Sequence, residues 1–453
     1  MDIVDFTVKF HALETKYNLF HEQDSNDVLY WDIVRHDVFY AIYYELSGIQ
    51  TITTSRNPSI LSKIISIFKY GYHALRLSIA LKAKSYKYFC FTCSRYKNEN
   101  KENIDYAVND LLLVIKAETL ILESNIKFND EYYHDCFFNV GPVINTYKFK
   151  VKRLGRERKH YSSFTVSQIL KKEFGVNTDI DLVITNLINR YNIEYSYYLK
   201  LFKKSIPEKI FLVQNGIQKA LFHAANNLEI PVYEMQHGLV SFIHPAYDYP
   251  KHVDLSHLKT LPTYFLSFSE FWSNNIHYPV KKIRTIGNTF FAQKPALKDK
   301  VFDLTFISAD IYALDLIALL DDLLVAGFEK KIAVKLHPNQ FHDLEYIKRH
   351  FSSFPNVTIV FNELSVKELL LVSQAILAVQ STCVYEALYY QVKVLIYKIK
   401  DYRTHEDIFD NPNVYQIVNH TEIKSCLNNS YISGNNIPFF ENFKTNQFLE
   451  LLY

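Results

Sequence analysis

The sequence predicts an α/β protein of two domains, each built on a doubly wound parallel sheet. Three observations support this: the length, a strand–helix–strand unit in mid-chain, and regular alternation of strands and helices in the last third. A chain of 453 residues exceeds what one hydrophobic core usually serves. We place the domains at residues 1–290 and 291–453, because the alternating pattern restarts near residues 288–302. We leave open that the last helices return to the first domain.

The mid-chain unit lies in residues 209–235. The apolar run KIFLV at 209–213 predicts a buried strand, residues 219–228 a helix, and residues 231–235 a second strand. Two strands joined by a crossover helix within about 30 residues form a parallel βαβ unit. Further strands are expected at residues 86–92, 111–115 and 264–268.

The alternating series begins at residue 303. Strands are predicted at 303–307, 331–336, 357–361, 375–379 and 393–397, with helices at 312–326, 343–351, 365–373 and 383–390. Ser365 and Glu368 have the spacing of a capping box, which fixes the start of one of these helices. Such regular alternation predicts a doubly wound sheet.

Composition and charge narrow the function classes. A net charge of +2 is too close to zero to indicate a nucleic-acid-binding protein, and we expect no such partner. Hydrophobic residues at 48% and charged residues at 22% are typical of a folded soluble chain. The five cysteines are scattered, and the start lacks a signal-peptide pattern, which predicts free thiols and a cytoplasmic protein. Cys90 and Cys93 lack the partners of a zinc site, so we expect no metal.

Two basic segments have more than one interpretation. Residues 60–83 combine helical apolar spacing with Lys63, Lys69, Arg76 and Lys82. They predict an amphipathic helix that either packs on its own domain or rests on an anionic membrane surface, here the inner face of the cytoplasmic membrane. The second segment, residues 148–159, is either a solvated loop or a site for an anionic acceptor or lipid phosphate.

His237 follows a predicted strand and precedes Gly238, at a strand edge where ligands of α/β sheets bind. A neutral imidazole there is able to remove a proton from an acceptor hydroxyl. Glu234, three residues earlier, is a second candidate base. A structural hydrogen bond that braces the turn is the alternative role for His237.

The sequence KLHP at residues 335–338 ends another predicted strand. Proline restricts the backbone of the residue before it, which holds the His337 imidazole at a defined angle. A hydrogen-bonding histidine there is able to stabilise negative charge that develops on a leaving phosphate. We assign Lys335, His337 and Pro338 to a nucleotide-binding edge.

Ser381 and Thr382 lie between a predicted strand and the helix that follows it. Helix N-termini present unpaired N–H groups that bind phosphate, although simple N-capping explains the hydroxyls equally well. Glu386 lies one turn further along, where a carboxylate is able to accept hydrogen bonds from ribose hydroxyls.

The order of these motifs resembles that in bacterial capsule and wall-polymer transferases. HG at the end of a strand, then KxHP, then STxxxEA over roughly residues 205–400 is similar to CDP-glycerol glycerophosphotransferases, capsular Kdo transferases and polysialyltransferases. A more diffuse likeness covers Tyr30, Trp31 and Arg35. The resemblance implies the GT-B fold, with two Rossmann-like domains whose sheets face a central cleft. Gln236 and Gln380 depart from the glycerophosphotransferase pattern.

The resemblance also implies residue roles. His237 would be the base, and His337 with the hydroxyls of Ser381 and Thr382 would contact the nucleotide phosphates. Ser308 and Asn288 join the predicted donor-binding residues. The predicted acceptor side contains Gln236, Gly238, His244 and Tyr247.

These expectations define a glycosyltransferase that moves a sugar from a nucleotide-sugar donor to a bacterial surface polysaccharide, capsule or O-antigen. We expect inversion without a metal or other cofactor, since helix dipoles and side chains offset the phosphate charge. The acceptor is a glycan or lipid-linked glycan. A CDP-polyol phosphotransferase, a nucleotide-sugar epimerase and a non-catalytic partner of a capsule assembly complex stay open as alternatives.

Overall fold

The computed structural model describes residues 1–23, 29–48, 60–94, 96–98, 100–124, 131–138, 164–213, 216–294, 298–309, 312–337, 340, 343–434 and 437–453. These residues form two compact units. The N-terminal unit contains Thr7–Phe268, Trp272–Phe290 and Asn442–Tyr453. The C-terminal unit contains Met1–Phe6, Ser269–Phe271 and Phe291–Glu441.

The N-terminal unit is built on a seven-stranded sheet of order β5-β4-β1-β6-β7-β8-β9. All its neighbouring strands run parallel. A separate antiparallel pair is formed by β2 and β3. The strands are β1 Tyr88–Thr92, β2 Tyr96–Lys97, β3 Asn103–Ile104, β4 Thr119–Glu123, β5 Phe137–Phe138, β6 Lys209–Val213, β7 Val232–Met235, β8 Tyr264–Ser267 and β9 Lys282–Thr285.

Nine α-helices of the described residues lie before β1, between the strands that follow it, and after β9. They are α1 Ile3–Lys16, α2 Trp31–Ser47, α3 Ile60–Ala83, α4 Asn109–Ile115, α5 Phe164–Phe174, α6 Ile180–Lys204, α7 Lys219–Asn226, α8 Glu270–Asn274 and α9 Thr289–Ala292. The predicted βαβ unit is confirmed as β6, α7 and β7, with β6 paired to β7 in parallel.

The strand predicted at residues 111–115 is wrong, because this run forms most of α4. Leu111, Leu112 and Ile115 are buried, whereas Leu113 and Val114 are exposed. This one-sided burial has the helical period and not the alternation of a strand. The strand of this region is β4, which begins at Thr119 and pairs with β1.

The C-terminal unit has a six-stranded, wholly parallel sheet of order β12-β11-β10-β13-β14-β15. Its strands are β10 Leu304–Ile307, β11 Ile332–Lys335, β12 Val357–Val360, β13 Ala375–Ala378, β14 Lys393–Tyr397 and β15 Val414–Ile417. The helices that follow α9 are α10 Ala313–Val325, α11 Leu344–His350, α12 Val366–Val372, α13 Cys383–Tyr389, α14 His420–Asn428 and α15 Thr445–Glu450. The last of them belongs to the N-terminal unit.

The alternating series and its capping box are confirmed in this unit. The Ser365 side chain accepts a hydrogen bond from the Glu368 N–H, and the Glu368 carboxylate accepts one from the Ser365 N–H at 2.8 Å. Buried residues of the sheet and of α10, including Leu320, Ile332 and Leu377, share one hydrophobic core. The fold class is therefore two α/β units, each with a parallel sheet.

The five cysteines are free thiols, and Cys90 is buried within β1. The helix predicted at residues 60–83 is confirmed as α3. The basic stretch at 148–159 lies outside the described residues. No helix in the part of the chain that the structure describes is long and apolar enough to cross a membrane.

Candidate functional site

The sheet of the C-terminal unit changes winding direction between β10 and β13. From β10 the chain moves outward to β11 and β12, then returns to place β13 on the other side of β10. In open α/β sheets this switch point, at the carboxyl ends of the strands, is where ligands bind. Ser308 follows β10, His337 follows β11 and Ser381 follows β13. Three sequence-predicted residues therefore lie at one sheet edge, beside the switch point.

Ser308 and Lys335 are held by main-chain groups at this edge. The Ser308 N–H donates to the Lys335 carbonyl at 2.9 Å, which extends the β10–β11 pairing by one residue. The Lys335 ammonium donates to the carbonyls of Phe361 and Leu364, the latter at 2.9 Å. Burial lowers the pKa of Lys335. The lysine therefore ties the end of β11 to the turn before α12.

The turn after β11 is closed by Gln340, which is buried. The His337 N–H donates to Gln340 Oε1 at 2.8 Å, and the Gln340 N–H donates to the His337 carbonyl at 2.9 Å. This reciprocal pair fixes the backbone of His337 at the strand end. Pro338 lies outside the described residues.

The segment after β13 presents Ser381 and Thr382 before α13. Ser381 Oγ accepts a hydrogen bond from the Cys383 N–H at 3.3 Å. Thr382 is exposed and makes no side-chain cap to the helix. The Thr382 hydroxyl is therefore open to solvent, whereas that of Ser381 braces the first turn.

A buried histidine that the sequence did not predict holds the backbone of this segment. His405 lies in the 3₁₀ helix Tyr402–Ile408 and is fully buried. Its Nε2 lies 3.2 Å from the Ser381 backbone nitrogen. Because that backbone N–H only donates, Nε2 is the acceptor and the His405 proton sits on Nδ1. Burial lowers the pKa of His405 to about 3, which keeps the ring neutral.

The same network continues to Tyr385 and Asp407. His405 Nδ1 lies 3.3 Å from the Tyr385 hydroxyl oxygen. The Tyr385 hydroxyl donates to the Asp407 carboxylate, at 2.9 Å to Oδ1. The three hydrogen bonds run in one direction. The Ser381 N–H donates to His405, His405 Nδ1–H donates to Tyr385, and the Tyr385 hydroxyl donates to Asp407. The arrangement positions the Ser381 backbone through a ring that carries no charge.

Glu386, the predicted ribose ligand, lies on α13 and is half-buried. Burial raises the pKa of Glu386 to about 7, and the nearby Lys367 acts in the opposite direction. The carboxyl group thus titrates near neutrality, where its hydrogen-bonding role changes from acceptor alone to donor and acceptor.

In the N-terminal unit, His237 follows β7 and is held through its neighbours. Gln236 is fully buried; its Oε1 accepts from the Phe268 N–H and its Nε2 donates to the Gly238 carbonyl, both at 2.9 Å. The Tyr106 hydroxyl donates to the His237 carbonyl at 2.7 Å. The His237 side chain is half-buried. The backbone of the turn is therefore fixed on both sides of the histidine.

Glu234 lies within β7 and is fully buried. Its carboxylate accepts a hydrogen bond from the Tyr278 hydroxyl at 2.7 Å. Burial is the largest cause that raises the pKa of Tyr278 well above its usual range, and the negative charge of Glu234 raises it further. Glu234 is therefore placed in the protein core, whereas His237 lies beyond the end of the strand.

Asn288, one of the predicted donor-binding residues, contacts the residue that holds the His237 turn. Its side-chain amide donates to the Tyr106 carbonyl at 2.9 Å, and Asn288 belongs to the N-terminal unit. Because Tyr106 holds the His237 carbonyl, Asn288 supports that turn. Tyr106 was missed by the sequence reasoning, since a tyrosine far from any motif carries no local signal.

The loop after Gly238 contains two of the four residues predicted on the acceptor side, His244 and Tyr247. His244 Nδ1 accepts from the Ala246 N–H at 3.2 Å. Burial, with His36 and His237 nearby, lowers the pKa of His244 well below its usual range. Tyr247 is fully buried and its ring packs on Tyr278. Tyr247 therefore supports the loop from the core, while His244 is half-buried beside the His36 ring.

Arg35 anchors this loop from α2. Its Nε and Nη2 donate to Glu14 at 2.8 Å and 2.9 Å, and Trp31 Nε1 donates to the same carboxylate at 2.7 Å. Arg35 also donates to the carbonyls of Pro245 and Asp248. The buried Arg35–Glu14 pair is consequently a positioning element for residues 244–248.

The described residues contain no cluster of side chains that would bind a metal ion. Among them, no group of three or more His, Cys, Asp or Glu side chains is arranged to hold an ion.

Comparisons with known proteins show only a distant likeness of fold. No family model matches the chain, and no curated protein matches it. UDP-GlcNAc 2-epimerase from Methanocaldococcus jannaschii in complex with UDP-GlcNAc and UDP is 13% identical, with a TM-score of 0.48 over 81% of this chain and 99% of that chain. A co-structure of S. aureus MnaA with UDP is 12% identical, with a TM-score of 0.49 over 81% and 96%. The glycosyltransferase SnogD from Streptomyces nogalater is 13% identical, with a TM-score of 0.45 over 82% and 100%. At these values the likeness assigns no activity or ligand to this chain.

Proposed function

We propose that the protein is a nucleotide-sugar-dependent glycosyltransferase that extends a bacterial surface polysaccharide. In this proposal the C-terminal unit binds the donor, and the N-terminal unit binds the acceptor and supplies the base. The observation that carries it is the placement of Ser308 and Ser381 on either side of the β10–β13 switch point. Nucleotides bind at such edges because backbone N–H groups and hydroxyls converge there.

In this proposal the donor side consists of the residues at that sheet edge. The exposed Thr382 hydroxyl is assigned to the phosphate oxygens, whereas Ser308 is buried at the end of β10. His337 lies on the next strand end, where an imidazole stabilises charge on a leaving nucleotide. Glu386 is assigned to the ribose hydroxyls, because its deprotonated carboxylate accepts hydrogen bonds from them.

The base is assigned to His237 and not to Glu234. A general base needs to reach the acceptor hydroxyl to within hydrogen-bond distance. Glu234 is fully buried and already bonded to Tyr278, whereas His237 is half-buried beyond the end of β7. The fixed turn around His237 holds its backbone in one position, as proton transfer requires.

The proposed reaction is a direct displacement. His237 takes the proton of the acceptor hydroxyl, and the acceptor oxygen forms a bond to the anomeric carbon of the sugar. The bond from that carbon to the phosphate oxygen breaks, and the electron pair leaves with the nucleotide. One displacement inverts the configuration at the anomeric carbon.

Donor identity is tested by thermal unfolding with CMP, CDP, UDP, GDP, their sugars, CDP-glycerol and CDP-ribitol. A ligand that binds the folded state alone raises the midpoint. We expect one nucleotide and its sugar to stabilise the protein, and the double variant Ser381→Ala/Thr382→Ala to lose most of that shift. Turnover of CDP-glycerol or CDP-ribitol would instead assign a polyol-phosphate transferase. Epimerisation of the donor without an acceptor would assign an epimerase, and binding without turnover a non-catalytic partner.

A further inference from the structure

Helix α3 carries basic residues and no acidic residue along its 24 positions. The four basic residues in its sequence are Lys63, Lys69, Arg76 and Lys82. Surface helices of globular proteins usually mix both signs of charge, which supports them through i,i+4 pairs. A long helix with one sign of charge is typical of contact with an anionic surface.

The outer face of α3 is an exposed apolar stripe. Phe68, Tyr72, Leu75 and Ile79 are 76%, 57%, 61% and 58% exposed. Their spacing of four, three and four residues keeps them within an arc of about 60° over about 16 Å of helix. Leu77, on the opposite side of the helix, is buried. The helix therefore packs on its own unit through one face and presents a second apolar face to solvent.

The exposed apolar residues of α10 do not form such a stripe. Leu314 and Val325 on α10 are 80% and 83% exposed, but Asp321 and Asp322 lie on the helix between them. Scattered exposed apolar residues are normal on protein surfaces, whereas a contiguous row indicates an interaction site.

Cations surround the C-terminal end of α3. The Lys204 ammonium donates to Ser78 Oγ at 3.1 Å, and the Lys84 ammonium donates to the Ala117 carbonyl at 2.6 Å. Lys82 is exposed. Arg76 faces the exposed carboxylate of Asp135 at 3.7 Å. Within α3 itself, every Asp, Glu, Lys or Arg is a Lys or Arg.

We propose that α3 docks on an anionic lipid surface, with the stripe defined by Phe68, Tyr72, Leu75 and Ile79 inserted among the acyl chains near the headgroups. An amphipathic helix of this kind lies in the plane of the interface, with its apolar face buried about 5–10 Å. Lys82 and Lys84 would then lie at the level of the phosphates, where each basic residue adds to the attraction. A second copy of the same face would bring cations against cations, so self-association through the stripe is disfavoured.

The test is flotation of the full chain with vesicles of equal parts phosphatidylcholine and phosphatidylglycerol. We expect the wild type to float with these vesicles and much less with phosphatidylcholine alone. The variant Phe68→Ser/Leu75→Ser/Ile79→Ser is expected to bind at least about tenfold more weakly. The matched control Leu314→Ser/Val325→Ser removes exposed apolar side chains elsewhere and is expected to bind like the wild type. Lys82→Glu with Lys84→Glu is expected to weaken binding to anionic vesicles only.

Three results would overturn the proposal. They are a wild type that stays unbound, a stripe variant that still floats, and a dimer of the wild type that the stripe variant loses. Equal midpoints of thermal unfolding for wild type and stripe variant show that the variant folds. The readout contains no donor or acceptor, so its failure is independent of the glycosyltransferase assignment.

Discussion

The backbone N–H of Ser381 donates to Nε2 of His405 at 3.2 Å, and this contact determines which tautomer the buried ring adopts. The proton on Nδ1 then points to Tyr385, whose hydroxyl donates to Asp407. A neutral ring is required at every step, and burial supplies it by lowering the pKa of His405. The candidate phosphate-binding segment therefore depends on a histidine that need not contact the ligand.

His405→Phe is expected to lower the free energy of unfolding by about 1–3 kcal/mol, because it leaves the Ser381 N–H without its acceptor and the Tyr385 hydroxyl without one of its partners. It is also expected to weaken nucleotide binding. Chemical denaturation and titration with the nucleotide identified by the thermal screen measure the two effects.

The stability difference between wild type and His405→Phe is expected to depend on pH. The pKa of His405 is about 3 in the folded protein and 6.5 as its ordinary value. The unfolded state thus binds the proton more readily, so the contribution is present above pH 6.5 and is lost as the pH falls toward 3. Asp407 is present in both proteins, so its own titration largely cancels in the stability difference between them. Parallel pH curves for the two proteins would contradict this prediction.

Nucleotide affinity is expected to rise with pH through about 7, the pKa to which burial raises Glu386. The deprotonated carboxylate presents two acceptor oxygens to the ribose hydroxyls, whereas protonation turns one of these oxygens into a donor. Glu386→Gln is expected to bind more weakly and to lose this pH dependence. Lys367→Met removes the charge that lowers the pKa of Glu386, so its midpoint is expected to move upward. Affinity of the wild type that stays constant through this range would remove Glu386 from the site.

Gln236→Leu is expected to destabilise the protein by about 1–3 kcal/mol and to lower turnover, because it removes the side-chain hydrogen bonds to the Phe268 N–H and to the Gly238 carbonyl. Gln236→Glu keeps an acceptor for Phe268 but places a carboxylate against the Gly238 carbonyl. We expect it to be defective too. Thermal unfolding and the steady-state rate measure both variants, and a fully active, stable Gln236→Leu protein would show that the turn does not need this bridge.

Gly216→Ala is expected to be more damaging than Gly175→Ala. Both glycines have positive φ, at +77° and +69°, but an added Cβ at Gly216 would lie 2.8 Å from the Ala246 Cβ and 3.0 Å from His36 Cδ2. At Gly175 nothing lies within 4 Å. Backbone strain of about 1 kcal/mol applies to both, so the excess loss at Gly216 measures the close approach to the 244–248 loop. Equal losses in chemical denaturation would contradict that contact.

Much of the fold could be predicted from sequence because its strands are short apolar runs between turn residues. The strands predicted from residue 209 onward are found within one or two residues of their expected ends. Residues 111–115 were mistaken for a strand because periodicity does not separate a short buried strand from one buried helical turn. Burial of Leu111, Leu112 and Ile115 on one face settles the question only once their neighbours are known.

The candidate site could be predicted only where a strand end positions a residue. Ser308, His337 and Ser381 each follow a strand of one parallel sheet, so their common edge follows from the topology. His405 could not be predicted, since it lies 24 residues from Ser381 in a 3₁₀ turn without a periodic pattern. The contact between the Asn288 amide and the Tyr106 carbonyl could not be predicted either, since the two residues are far apart in the sequence.

The most direct test is a paired measurement on His237→Gln and the wild type, of donor dissociation constant and of sugar transfer in a single turnover. If His237 is the base, transfer falls by about 10²–10⁴-fold while the donor dissociation constant stays at the wild-type value. Transfer at the wild-type rate by His237→Gln would contradict the assignment of the base.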